Sequence, residues 1–303
     1  MIRLVFVLLI AFQTGHLYAQ SLRDSTLTTP INKKVLASAI ISESSIYLGG
    51  MSYLQFIWYK DHDRVPFHFY NDNKGYLQMD KMGHSFAAYG ESYVGYHWLR
   101  RAGVNKTKAL IYGGSLGLVL QTPIEIFDGL YEGWGFSWGD MIANTAGCLL
   151  MVGQEMVFDD QLLRYKISFS PSEMYKNANG YLGNNAFESF FYDYNGHTYW
   201  LSMNLNKIMF KDMLPSWLNI AVGYSANGML GEFKNRTSYY GKRLPEYDRT
   251  RQFLCSIDID WEKIPTHSHF LKTLFAGLNF IKLPFPAIEL SSKGRVSAYW
   301  LYF

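Results

Sequence analysis

Apolar and polar positions along this chain change their period once, near residue 165. Before that point apolar residues recur at helical spacing; beyond it apolar and polar residues alternate. The first half therefore predicts helices. Val35 to Tyr59 carries a single charge, Glu43, and predicts a first helix over about residues 34–59. It is long enough to cross a bilayer, but Ser42, Ser44, Ser45, Ser52, Gln55 and the pair Gly49-Gly50 dilute its apolarity. A linker rich in charge and aromatic residues follows from Asp61 to Gly75. A second helix is expected over 77–101, with Arg100 and Arg101 in its last turn and Gly103 just beyond, where the helix dipole and C-cap geometry favour them. Asn105 can cap a third helix that runs to Gln121. Thr122-Pro123-Ile124-Glu125 then reads as a fresh start, with Thr122 as N-cap, Pro123 at N1 and Glu125 at N3. After a Gly-rich loop over 129–135, Ser137 and Asp140 repeat that cap pattern and open a long helix over 138–158.

The second half alternates. Leu218, Ile220, Val222 and Tyr224 share one face, and Phe253, Cys255, Ile257 and Ile259 oppose Leu254, Ser256 and Asp258, which predicts half-buried strands. Residues 198–210 and 287–303 look similar, while 269–281 reads as a short amphipathic helix. The chain ends in a strand closing on Phe303, with Tyr299 and Leu301 on one side, which resembles the terminal signal of outer-membrane barrel proteins. About five or six strands are fewer than the eight or more a bacterial barrel needs. The expected fold class is α+β: a four-helix unit in a helical domain over 34–160, then a mainly antiparallel β region over 165–303 with possible membrane association.

The N-terminus adds a destination. Arg3, an apolar run from Leu4 to Phe12 and Leu17-Tyr18-Ala19 form a signal-peptide pattern over residues 1–19. The expected location is outside the cytoplasm, in the periplasm or outer membrane of a two-membrane bacterial envelope. No Cys follows the apolar run, so a lipid anchor there is not expected. Removing residues 1–19 takes the formal charge from +3 to +2, and without a basic run nucleic acid is a poor partner. The abundance of aromatic residues, with 23 Tyr, 21 Phe and 8 Trp, suits a large core or a membrane interface. Cys148 and Cys255 are expected to be two buried free thiols rather than a disulfide.

Ionisable residues inside the apolar half carry the candidate chemistry. Asp80, His84 and Glu91 share a helical face, Lys81 adjoins it, and Gly95 continues it. Glu125 and Asp128 share a face, and Asp140, Asn144 and Gly147 form another stripe. Packed together, these groups would suit general acid–base work or a divalent cation. Asp and Glu favour magnesium or calcium, while His draws zinc. His84, Glu125 and Asp140 are the catalytic candidates; Asp80, His84 and Asp128 are the metal candidates. Ser137 shows no sign of activation, and no HExxH or P-loop pattern occurs. The plainer alternatives are that Glu125 and Asp140 are capping acids, Lys81 a solvated ion-pair partner and His84 a hydrogen-bonded core residue.

Asp80-Lys81-x-x-His84, Glu125-x-x-Asp128 and Ser137-x-x-Asp140-x-x-x-Asn144-x-x-Gly147 together resemble the family called domain of unknown function 2279. Its members are predicted envelope proteins, some of them periplasmic lipoproteins. A more distant resemblance is to the VanZ-like teicoplanin-resistance family, which has a D-K-x-x-H motif, a later Glu and a D-x-x-x-N-x-x-G helix. The likeness covers about residues 35–155 and implies a four-helix unit with these residues gathered between the helices, but no reaction. The chain departs from the VanZ-like pattern in its signal peptide, its strand-rich second half and its less apolar helices. Three functions remain open. One is an envelope protein whose cluster fixes packing or binds a polar ligand such as a lipid or glycan headgroup. Another is a metal-assisted hydrolase of an envelope lipid or phosphoester. The third is a small outer-membrane barrel with a helical plug.

Overall fold

The computed structural model describes residues 30–60, 62–207 and 213–303; the expected signal peptide over 1–19 lies outside them. The helical half contains α1 (Lys33–Tyr53), α2 (Met79–Arg101), α3 (Lys106–Tyr112), α4 (Leu116–Asp128) and α5 (Trp138–Phe158). A π-helical turn, Leu54–Trp58, extends α1 to the predicted end. Asn32 Oδ1 accepts from the amides of Lys34 and Val35 and caps α1. Gly103 turns the chain out of α2 at φ 85°, and Asn105 Oδ1 accepts from Lys108 N at the start of α3. Ser137 caps α5 by accepting from Asp140 N at 3.2 Å.

Where four helices were expected, the described residues of this half form five helical segments, because the third breaks at Gly113–Ser115 rather than before Pro123. Pro123 lies inside α4 and Thr122 is no N-cap, since its hydroxyl donates back to Leu118 O at 2.7 Å. Tertiary contact fixes the break: a Cβ on Gly113 would lie 2.5 Å from the Gly95 carbonyl carbon. Glu125 is therefore mid-helix and fully buried, not a capping acid.

Connections of this kind run the helices up and down around α2. Asn32 N bonds Ala102 O at 2.8 Å, tying the start of α1 to the end of α2. Lys106 pairs with Asp159, tying the start of α3 to the end of α5. Small residues bring α2 and its neighbours into backbone contact. A Cβ on Gly147 of α5 would lie 2.1 Å from Ser85 O, and one on Gly117 of α4 would lie 2.1 Å from Ala88 O. Such approach is open only to glycine and buries α2 on nearly all sides.

The second half holds β1 (Leu163–Phe169), α6 (Ala186–Tyr192), β2 (His197–Asn204), β3 (Leu218–Asn227), the short pair β4 (Ser238–Tyr239) and β5 (Lys242–Arg243), β6 (Thr250–Ile259), α7 (His269–Leu278), β7 (Phe285–Ser291) and β8 (Val296–Tyr302). Six strands form one sheet in the order β1-β2-β3-β6-β7-β8, antiparallel throughout. The expected α+β class and the amphipathic helix at 269 both hold. The core joins the halves: Phe86, Tyr89 and Tyr93 of α2 pack with Tyr165, Ile167, Tyr199 and Phe280.

Alternation correctly marks the strands, but from β3 to β7 the buried face is the polar one, while β1 is buried on both faces. One row runs Lys166, Trp200, Gly223, Leu254, Glu289, and Asp258 lies on the same side; Lys166 is fully buried and pairs with Asp258 at 2.7 Å. The opposite row, Val222, Cys255 and Ile288, is exposed. Cys255 is accordingly an exposed free thiol, where a buried one was expected, while Cys148 is free and buried. The barrel with a helical plug is not what forms. No β8–β1 pairing closes the sheet among the described residues; the free edge of β1 instead bonds the segment at Phe280–Lys282. α2 packs on the side of the sheet that holds Tyr165 and Tyr199, opposite the Lys166–Asp258 pair.

Candidate functional site

Asp80 is the second residue of α2 and Asp140 the third of α5, so both carboxylates sit in first turns at the same end of the bundle. Partial positive charge at helix N-termini favours anions there. One turn into α2, His84 stands between them. Its Nε2 lies 3.2 Å from Asp140 Oδ1 and 3.7 Å from Asp80 Oδ2. Its Nδ1 faces Asn144 Oδ1 at 3.2 Å and Glu125 Oε1 at 3.4 Å. Lys81 Nζ reaches Asp72 at 2.7 Å, Asp140 at 2.9 Å and Asp80 at 3.2 Å. Ser137 donates to Asp72 Oδ1 at 2.6 Å while its own oxygen caps α5, so its hydroxyl is committed.

The predicted residues divide. Asp80, Lys81, His84, Glu125, Asp140 and Asn144 converge. Gly147 belongs to the seam that permits it. Asp128 lines the same pocket but accepts from the Tyr59 hydroxyl, and Tyr59 stacks on Tyr131 with centroids 4.2 Å apart. Glu91 lies two turns further along α2, where both its oxygens accept from Gln121 Nε2 at 2.8 and 2.9 Å. Asp72 was missed because it lies in the linker, where no period marks a face. Tyr194, whose hydroxyl donates to Asp80 Oδ1 at 3.0 Å, was missed because it comes from the other half of the chain.

A pocket of about 530 Å³ opens over this cluster, within the range of small-molecule sites. Asp80, His84 and Asp140 contribute to its lining; the strand-rich half adds Tyr181, Tyr194, Glu232, Arg236 and Tyr239. Tyr76, Leu77 and Gln78, at the entrance to α2, all adopt left-handed φ of 44°, 50° and 67°, an unfavourable conformation for side-chain-bearing residues. The second half holds it in place: Tyr76 N donates to Glu232 O at 2.8 Å, Tyr224 OH donates to Leu77 O, and Arg251 donates to Gln78 Oε1 at 2.8 Å. On the pocket wall, burial with Glu232 beside it pushes the Tyr70 phenol up to about 12, and burial raises the Glu232 carboxyl.

The arrangement has a chemical consequence. If Nδ1 carries the imidazole proton toward Glu125, the Nε2 lone pair faces two carboxylates, and a positive species is needed between them. A proton can supply it, giving imidazolium. Even then Asp72, Asp80, Glu125 and Asp140 outnumber Lys81 and His84 by two. That surplus of negative charge, crowded among buried groups, leaves a place where a further cation could sit. One ligand atom each from Asp80, His84 and Asp140 lies within 4.8 Å of the others, a spacing that a metal ion can bridge. Glu125 stands behind the far ring nitrogen, as carboxylates do behind metal-bound histidines.

Fold and site define a helical bundle that carries an acidic, histidine-containing pocket at one end and is backed by an antiparallel sheet. Residues 68–153 match the family described as predicted periplasmic lipoprotein, domain of unknown function 2279. That segment holds every residue of the three motifs, and the family's description agrees with an exported, periplasmic protein. The VanZ-like likeness rests on its motif residues alone. No curated protein and no solved structure matches the chain.

Proposed function

We propose that the pocket binds a divalent cation through Asp80, His84 and Asp140 and uses it to hold an oxygen-rich ligand, the headgroup of an envelope lipid or glycan. The observation that carries this reading is the convergence of three ligand atoms from α2 and α5 on the lining of a pocket, with Glu125 and Asn144 orienting the imidazole. Mixed carboxylate and imidazole donors suit zinc or manganese better than calcium, which prefers an all-oxygen shell. Lys81 offsets part of the repulsion among the surrounding carboxylates and so favours their ionised, coordinating form. Tyr181, Tyr239 and Arg236 supply donors at the mouth for an anionic or hydroxylated group.

The test is metal content and calorimetric titration of the purified chain with zinc, manganese, magnesium and calcium. One equivalent should bind, and His84→Ala or Asp140→Asn should weaken it at least about tenfold, the usual order for removing a ligand or its support. If none of the four ions binds more tightly than about 1 mM, which is only ~4 kcal/mol, the reading fails.

A hydrolase reading draws on the same His84–Glu125 contact, because a carboxylate-oriented imidazole beside a metal can move a proton during water attack on a phosphoester. Turnover of phosphoester or envelope-lipid substrates that disappears in His84→Ala would support it. Metal binding without such turnover leaves the pocket a binding site.

A further inference from the structure

The helices around α2 are inside out. On α5 the buried side holds Asp140, Asn144, Gln154 and Glu155, while Ile142, Leu149, Met156 and Val157 stand 63–70% exposed along the opposite side. A soluble bundle shows the reverse pattern. On α1 and its π turn, Ile41, Leu48 and Phe56 are 63–74% exposed. Glu43 is the sole charge between Lys34 and Lys60, and it is only partly exposed. By length and composition Lys106–Asp128, α3 and α4 with the turn between them, and Trp138–Phe158 are long and apolar enough to cross a membrane, yet only 33% of the most apolar stretch of each is buried. At ~1.5 Å per residue, α5 is about as long as the ~30 Å hydrocarbon layer is thick.

The sheet repeats this inversion. Between β3 and β8 its bare face presents Val222, Phe253, Ile257, Ile288, Leu290 and Trp300, while its other face keeps the Lys166–Asp258 ion pair. Polar inside and apolar outside is the pattern of strands that face lipid. Charge gathers instead at the helix ends, with Lys33, Lys34, Arg100, Arg101, Lys106 and Lys108 at one end of the bundle. At the other end exposed aromatic rings cluster beside the pocket, Phe67 against Phe69 and Phe69 against Trp138, as in the aromatic belts of membrane interfaces.

From these features we infer that the outward faces of α1, α4 and α5, and the bare face of β3, β6, β7 and β8, contact the acyl chains of a lipid bilayer. A second copy of the chain is the competing occupant. A single two-fold contact covers one patch, whereas these surfaces lie on several sides of α2 and on the sheet as well. The inference is independent of the cation site.

The full mature chain, purified in detergent and reconstituted into phosphatidylethanolamine–phosphatidylglycerol vesicles, provides the test. It should float with the vesicles and stay with them through an alkaline carbonate wash. Cys255, exposed on the bare face, supplies a native probe. In vesicles it should react with a charged maleimide at least about tenfold more slowly than the thiol of a K234C variant on an exposed loop, because a thiol in hydrocarbon neither ionises nor meets the reagent. Equal labelling rates, or release by carbonate, overturn the inference. A monodisperse, detergent-free dimer with Cys255 protected also overturns it and assigns the face to a second copy.

Discussion

Gly147→Ala isolates the seam on which the site depends. The added Cβ would lie 2.1 Å from Ser85 O, 2.9 Å from Ser85 C and 3.0 Å from Tyr89 N, all backbone atoms with no rotamer to yield. To reach ordinary contact, α2 and α5 must separate by on the order of 1 Å, and a gap of ~0.5–1 Å already forfeits roughly a quarter to a half of each dispersion contact across it. Overpacking of this kind costs about 1–3 kcal/mol, while the gain in helix propensity returns only ~1 kcal/mol. A net loss of about 0–2 kcal/mol is expected. Gly153 on the same helix has open space where a Cβ would stand, with nothing within 4 Å, so Gly153→Ala gains the propensity alone and should stabilise by up to ~1 kcal/mol. Denaturant titration of both variants in the same detergent reads the difference. The separation also moves Asp140 and Asn144 away from His84, so Gly147→Ala should weaken metal binding while Gly153→Ala leaves it unchanged. Equal stabilities for the two variants would refute the close-packed seam.

Three further outcomes follow from named contacts. Arg164 bonds Asp260 at 3.2 Å, Glu262 at 2.9 Å and Tyr93 OH at 3.1 Å; Arg164→Ala strands buried carboxylates and should cost about 3–5 kcal/mol in denaturant titration, and a loss under ~1 kcal/mol would contradict the network. Asp160 is pushed up by burial, but Lys263 and Lys207 outweigh this and hold it at about 2. Its folded value is depressed below the ordinary 3.8, so the stabilisation is present above about 4 and lost as pH falls toward 2; Asp160→Asn should flatten the denaturant midpoint over that window, and an unchanged slope would count against the pairing. Asp128→Asn should leave metal affinity within about twofold, because Asp128 is held by Tyr59 and lies outside the three-ligand group; a tenfold loss would place it in the site after all.

Local signals were legible wherever a cap or a period acts within one turn. Ser137 and Asp140 mark the start of α5, Asn105 the start of α3, and the spacing of Asp80 and His84 places both on the face that meets α5. Three features were not legible because they arise between segments. The helix break lies at Gly113, against Gly95, and not at Thr122-Pro123, so backbone contact with α2 outweighed a good local capping sequence. Asp72 joins the cluster from a linker without any period. Alternation in β6 separates Phe253, Cys255 and Ile257 from Ser256 and Asp258, but a period of two cannot say which side faces the interior. Cys255, expected to be buried, lies on the exposed side.

That inversion explains where the pocket sits. Buried charge is costly and more so in hydrocarbon, so a bundle that exposes apolar faces must keep its ionisable groups between helices and near their ends. Asp80 and Asp140 occupy first turns, where the dipoles of α2 and α5 stabilise them. Asp128 ends α4, where the dipole opposes a carboxylate, and there a tyrosine hydroxyl donates to it. Glu125 carries a carboxylate into the seam against the imidazole, and Glu91, deeper along α2, is met by the Gln121 amide. The acidic cluster thus opens at the end of the bundle near the exposed rings of Phe69 and Trp138, where the lipid-facing inference would put the headgroup layer. A headgroup ligand and a lipid-facing bundle are separate inferences, each with its own assay, yet this geometry makes them compatible. Arg236 and Tyr239 line the same pocket as Asp80 and His84, so one ligand can meet both sets of groups.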